Sequence, residues 1–352
     1  MQITKCNGKP HRLQLSCVLF SSGLSSNQFN EMLTHELISE AASFLTGRIR
    51  RTPVEFSPGL SASLGTSVYL KLECLQETGS FKVRGAFFAL SRAQKRGLDR
   101  VATCSAGNHG RGIAFAARKL GMEATIFVPS GVDESKERAM IALGADVRTS
   151  AFIGYDDTEA WALEEAERED LPFISAYDDY DVMAANGGTV GLEVLDQVPE
   201  ARRFVMPAGG GGHGAGFSFV VKDRYPNAHI TLCQHEDSPA FRLSIERGEA
   251  VTELTGFETL ASGLEGGFGS KTFDILKSRY TDIVHVTEAE IRSAMRWMMA
   301  EHQYVIEGSS AVAIAACFRE EFQRSDAPTV LFISGRNIGI ESLKGVLRED
   351  DG

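Results

Sequence analysis

The sequence predicts an α/β protein built on mainly parallel sheet with flanking helices. Three observations support this. From about residue 67, short aliphatic or β-branched runs ("SVYLKLE", "VATCS", "ATIFVP", "RFVMPAG", "HITLCQ", "IVHVT", "TVLFIS") alternate with longer helical stretches. That rhythm is the signature of βαβ units. The 352 residues are 43% hydrophobic and 24% charged, enough to bury a substantial core and divide into two domains. Finally, the glycine-rich and polar loops fall where strands run into helices, the rim at which such sheets bind ligands.

Helices are expected over residues 83–96, 109–121, 157–169, 213–223, 287–301 and 309–323, with a last one near 340–349. Residues 1–30 are Ser-rich and lack periodicity. Lys5, Lys9 and Arg12 before "LQLSCVLF" imitate a signal peptide only weakly, so a disordered extension is expected there. A large domain is expected from 31–99 and 181–352, and a small mobile domain from 100–180. The net charge of -11 argues against a nucleic-acid partner. No run reaches the length of a membrane span. The six cysteines are scattered, which points to a reducing, cytoplasmic setting without disulfides or zinc.

Four loops concentrate the chemistry. In "TGSFKVRGA", Lys82 sits between Phe81 and Val83, where its ammonium either snorkels into water or is held in a cleft as a reagent. "PAGGGGHGAG" follows a strand with Gly209, Gly210, Gly211 and Gly212. Four glycines serve neither strand nor helix, but they let successive N–H groups converge on a phosphate at a helix start. "CSAGNHGRG" gathers Ser105, Gly107, Asn108 and His109 at another helix start, a place suited to a carboxylate. "FISGRN" ends a buried strand on Ser334, read by itself as a cap or turn serine. A lysine among apolar residues has a depressed pKa, and beside a phosphate cradle it suggests a Schiff base to a phosphorylated aldehyde.

"TGSFKVRGA", "SAGNHG", "GGGG" and "SGRN", in this order, resemble the fold-type II pyridoxal-phosphate enzymes, within them the threonine/serine dehydratase and serine racemase group. The resemblance spans about residues 35–345. It implies a tryptophan synthase beta-like fold of two open, twisted, mainly parallel sheets, a homodimer, and pyridoxal 5'-phosphate as cofactor. It makes Lys82 the Schiff-base lysine, Phe81 the neighbour of the pyridine ring and Asn108 the partner of the 3-hydroxyl. Gly209 to Gly212 would hold the phosphate, and Ser334 would face the ring nitrogen. Ser105, Gly107, Asn108 and His109 would receive the carboxylate of an amino-acid substrate. The expected reaction is α,β-elimination from an L-β-hydroxy amino acid such as L-threonine or L-serine, giving a 2-keto acid and ammonia.

Racemases of the group carry a serine at the position of Ala106, and racemisation needs an acid–base group on each face, so a dehydratase is expected. The chain departs from the group's pattern at three places. Gly187 stands where glutamine is usual, Gly308 replaces a proline after Glu307 in "EGSSA", and "SGRN" holds Arg336 where glycine or alanine is usual. Arg336 adds a cation that could pair with a substrate carboxylate. These features resemble dehydratases of larger or acidic substrates, such as threo-3-hydroxyaspartate or those of the hydroxyectoine-utilisation branch. A β-replacement transferase and a silent binding protein stay open as other readings. No metal is predicted, because Gln234 stands where an acidic residue leads the group's cation loop, and Glu236 and Asp237 fall out of register with it.

Overall fold

The computed structural model describes residues 32–320, 322 and 325–348. The extension expected over 1–30 lies outside the described residues. Among the described residues there are nine strands: β1 (Val54–Phe56), β2 (Val68–Lys71), β3 (Arg100–Cys104), β4 (Glu123–Val128), β5 (Asp146–Thr149), β6 (Arg203–Pro207), β7 (His229–His235), β8 (Asp282–Val286) and β9 (Thr329–Phe332). They form a six-stranded sheet in the order β1-β2-β9-β6-β7-β8 and a three-stranded sheet in the order β3-β4-β5. Every pairing is parallel except β1 with β2. Both faces of such sheets must be covered, which is why β6 and β9 are buried along their whole length.

The expected helices are present with ends shifted by a residue or two, apart from one. The helix expected over 309–323 runs Gly308–Phe318 and stops because Arg319 is extended (φ -75°, ψ 146°). Elements the sequence reading passed over include the helices His35–Leu45 and Glu134–Ala142, the edge strand β1 and the polar edge strand β5. Edge positions tolerate polar, short strands, so β5 ("DVRT") lacks the apolar run that betrays a central strand. Among the described residues, no helix is long and apolar enough to cross a membrane.

Gly187 has a packing explanation. It lies in a one-turn π-helix, Ala184–Gly188, pressed against the helix Gly212–Arg224. A Cβ at Gly187 would fall 2.1 Å from the His213 carbonyl oxygen and 2.5 Å from the Phe217 nitrogen. No side chain fits there, so this departure concerns the seat of the glycine loop and not the substrate.

Behind the helix Lys82–Lys95 is a buried ionic lattice. Arg84 donates to Glu73 through Nε and Nη2, both at 2.8 Å, and to Glu193 through Nη1 at 2.7 Å. Lys71 donates to Glu193 at 2.6 Å and to the Thr52 carbonyl at 2.9 Å. Burial alone would raise the Glu73 carboxyl, but Arg84 and Lys71 outweigh it and hold it at about 2. Its contribution to stability is therefore full above the ordinary carboxylate value and is lost as pH falls through about 2. Arg84→Met keeps the apolar stem but strands Glu73. Urea unfolding at neutral pH should show a loss of about 3–5 kcal/mol.

Candidate active site

In the six-stranded sheet β2, β9 and β6 are neighbours, so the loops leaving their carboxyl ends emerge side by side. Those loops carry Lys82, Ser334 and the four glycines. The loop after β3 of the other sheet forms the facing wall. Phe81, Lys82, Ser105, Gly107, Asn108 and His109 line one pocket, together with Gly209 to Gly212 and Ser334. Every site residue expected from the sequence is in this wall.

The position of Lys82 is enforced by backbone. Gly79 (φ +80°) turns the chain, and a Cβ there would fall 2.6 Å from Asn337 Oδ1. Residues 79–81 then run antiparallel to 334–336: Phe81 N donates to Ser334 O at 3.1 Å and Arg336 N to Gly79 O at 2.9 Å. The lysine opens its helix, where a cation meets the unfavourable end of the dipole. Its Nζ donates to the Ala176 carbonyl at 2.8 Å and lies 5.4 Å from the Phe81 ring. The side chain is open only toward the pocket, so it does not snorkel into bulk water. Burial lowers its pKa to about 8, against the opposing pull of Glu307.

The glycine segment fits an anionic group. Among the described residues, the N–H groups of Gly209, Gly210, Gly211 and Gly212 have no acceptor, and the helix Gly212–Arg224 starts directly behind them. The curl depends on glycine. Gly211 has φ +91°, and a Cβ at Gly210 would fall 2.3 Å from the Tyr177 ring. His213, next in line, stacks on Phe81 with centroids 4.4 Å apart. Its burial lowers its pKa to about 3, so it is neutral.

On the facing wall, Asn108 opens its helix and donates through Nδ2 to Glu307 Oε1 at 2.7 Å. Asn337 is the hub. It donates from Nδ2 to Asn108 Oδ1 at 2.7 Å and to Thr78 O at 2.8 Å, and from its backbone N to Glu307 Oε2 at 3.1 Å. Its Oδ1 accepts from Arg111 Nη1 at 2.7 Å. Burial raises Glu307 to about 7, with the Asn108 hydrogen bond opposing. His109 is 2% exposed, and neither ring nitrogen has a partner among the described residues. Its pKa is lowered to about 3 by burial and then by Lys82, leaving it a neutral imidazole.

Sequence reasoning quoted Asn337 within "SGRN" without giving it a role, and it missed Ala176, Tyr177, His213, Arg111 and Lys136. Only Asn337 carried a readable signal, as an amide fixed in a motif. Ala176 acts through its carbonyl, which no side-chain pattern reveals. Arg336 is exposed and does not line the pocket, so the pairing considered for it is not made there.

A lysine at about 8 reacts as a neutral amine well below the ordinary range. In the cofactor-free protein, labelling of Lys82 by an acylating reagent, followed by peptide mass spectrometry, should rise about tenfold per pH unit and level off above about 8. Surface lysines should level off about two units higher.

The chain resembles known proteins along most of its length. The family model described as pyridoxal-phosphate dependent enzyme matches residues 45–335. An L-threonine ammonia-lyase of Geobacter sulfurreducens is 34% identical over 318 residues, 90% of this chain and 78% of its own. A catabolic L-threonine dehydratase of Escherichia coli is 35% identical over 315 residues, 88% of this chain and 94% of its own. The crystal structure of a pyridoxal 5'-phosphate-dependent aspartate racemase superposes with a TM-score of 0.83 at 29% identity, covering 90% of this chain and 98% of that one. With its lysine, its N–H cradle and this extent of likeness, the chain belongs to the pyridoxal-phosphate dependent enzymes of fold type II, in the threonine/serine dehydratase and serine racemase group.

Proposed function

We propose that the protein is an ammonia-lyase that converts L-threonine or L-serine to a 2-keto acid and ammonia. The observation that carries this reading is the desolvated Lys82 amine facing an N–H cradle and a polar helix start across one pocket. The names of the relatives support it. Pyridoxal 5'-phosphate, when bound, supplies the electron sink that makes the Cα proton removable. The residues do the rest. The N–H groups of Gly209 to Gly212 would hold its phosphate, and Phe81 would bound the ring site. Asn108 would meet the 3-hydroxyl and Ser334 the ring nitrogen. Lys82 would hold the cofactor and would serve as the base for the substrate's Cα proton. Ser105, Gly107, Asn108 and His109 receive the α-carboxylate. Glu307 keeps Asn108 oriented from behind.

Ala106, in the pocket wall, has no group to return a proton to the opposite face, which favours elimination over racemisation. Residues 100–180 carry their own three-stranded sheet and two apolar clusters of their own around Phe127 and Ile126, while Val101, Ile113 and Ile174 join the main core. We infer that they move as the unit that closes over substrate and excludes water. By family resemblance the enzyme works as a cytoplasmic homodimer on a free amino acid.

A second reading is favoured by two cations. Arg111 and Lys136 line the pocket, where the Lys136 charge acts on Glu265 and Glu307 of the same wall. Arg111 donates to the neutral Asn337 amide. Such a wall suits a β-hydroxy amino acid with a second carboxylate.

The test is 2-keto acid release from the cofactor-loaded enzyme with L-threonine, L-serine, D-serine, threo-3-hydroxyaspartate and a bulky 3-hydroxy amino acid. Release from L-threonine or L-serine is expected, falling on the order of 10³-fold or more in Lys82→Ala. Silence across the panel overturns the lyase reading and directs attention to β-replacement with a thiol acceptor. If the acidic substrate is the better one, Arg111→Gln should raise its KM about tenfold or more and leave that for L-threonine nearly unchanged.

A further inference from the structure

Ser310 is fully buried on the helix Gly308–Phe318, behind Ser334 and outside the pocket wall. It accepts from Gly335 N at 2.7 Å. Its Oγ also lies 2.8 Å from Gly335 O and 3.0 Å from Ser334 Oγ. A hydroxyl has one hydrogen and two lone pairs. One lone pair is fixed by the Gly335 N–H, which can only donate. The remaining hydrogen and lone pair can be divided in two ways.

If Ser310 donates to Gly335 O, Ser334 must turn its own hydrogen back to Ser310 and offer the pocket only lone pairs. If Ser310 donates to Ser334, the Ser334 hydrogen is released toward the pocket. The second arrangement does not orphan the Gly335 carbonyl, which still accepts from Glu307 N at 3.2 Å, and it leaves the Ser334 hydrogen free for an acceptor in the pocket.

We propose that Ser310 is a positioning residue that makes Ser334 a hydrogen-bond donor to the pyridine nitrogen of the cofactor, through a relay from Gly335 N–H to Ser310 to Ser334. The proposal rests on the reading that Ser334 faces that nitrogen. Hydrogen bonds in series polarise one another, so Ser334 becomes a stronger donor while remaining neutral, and the ring nitrogen stays unprotonated.

The experiment uses the holoenzyme loaded with cofactor labelled with ¹⁵N in the ring, comparing the unaltered protein with Ser310→Ala, Ser310→Gly and Ser334→Ala. The readouts are the ring ¹⁵N resonance, the pH titration of the cofactor's absorbance and the cofactor Kd. Circular dichroism and Tm verify the fold. Ser310→Gly serves if the alanine variant does not fold. Loss of Ser310 should move the resonance toward that of a free, unprotonated ring and raise the Kd about three- to tenfold, the loss of one hydrogen bond's net contribution. If the Ser310 variants match the unaltered protein while Ser334→Ala shifts, the relay is overturned and the Ser334 assignment stands. If Ser334→Ala also changes nothing, that assignment falls and the relay falls with it.

Discussion

The active-site architecture depends on Arg84. It is two residues after Lys82 and almost fully buried, and it is held by two carboxylates, Glu73 before the turn and Glu193 on another helix. A guanidinium in that environment cannot shift by a rotamer without leaving a charge unpaired. The helix Lys82–Lys95 is therefore fixed in rotation about its axis, and Lys82 is aimed at the pocket by a contact on the helix's other side. The lattice also joins strand β2, the turn and the helix Thr189–Gln197, so the lysine inherits the rigidity of the large sheet. Sites held by structural elements in this way keep their geometry better than sites built on free loops.

Around that anchor the polar groups are arranged so that burial works with the chemistry. Lys82 and Glu307 move toward neutrality from opposite sides, one lowered to about 8 and the other raised to about 7. His109 and His213 are both kept uncharged. Removal from water shifts each of these, and the low-dielectric surroundings strengthen the hydrogen bonds that remain. Asn337 then ties the lysine turn, the Asn108 loop, Glu307 and Arg111 together with one amide and one backbone N–H. Asn108 and Arg111 share one helix, so moving that helix, the lysine turn or the Glu307 segment strains the other two.

Much of this was legible in the sequence, for reasons that can be stated residue by residue. The alternation of β-branched runs and helices reports directly on parallel sheet, because such strands must be apolar on both faces. The glycine run and Lys82 could be read because their local chemistry has few other uses. The lattice around Arg84 was not legible: Glu73 and Glu193 are 120 residues apart in sequence, and a Lys or Glu looks the same in sequence whether exposed or buried. The role of position 187 was hidden for a related reason: its missing side chain reports how closely two backbone segments approach. Ser310 and Ala176 stayed hidden because their importance lies in which atom they approach and not in their residue type.

The π-turn at Ala184–Gly188 has a consequence for how such a protein can change. Its backbone is in contact with the first turn of the helix Gly212–Arg224, with Gly187 facing His213 and Phe217, and Gly216 facing the Met183 carbonyl at 2.0 Å from where a Cβ would be. Neither segment has room to accept the other's counterpart from a relative with glutamine at 187. In recombination between family members the two segments behave as one hereditary block. A crossover between residues 188 and 212 would pair mismatched halves, whereas one placed outside both would pass unnoticed. The helix behind the glycine segment is thus tied by close packing to a turn more than twenty residues upstream of that segment.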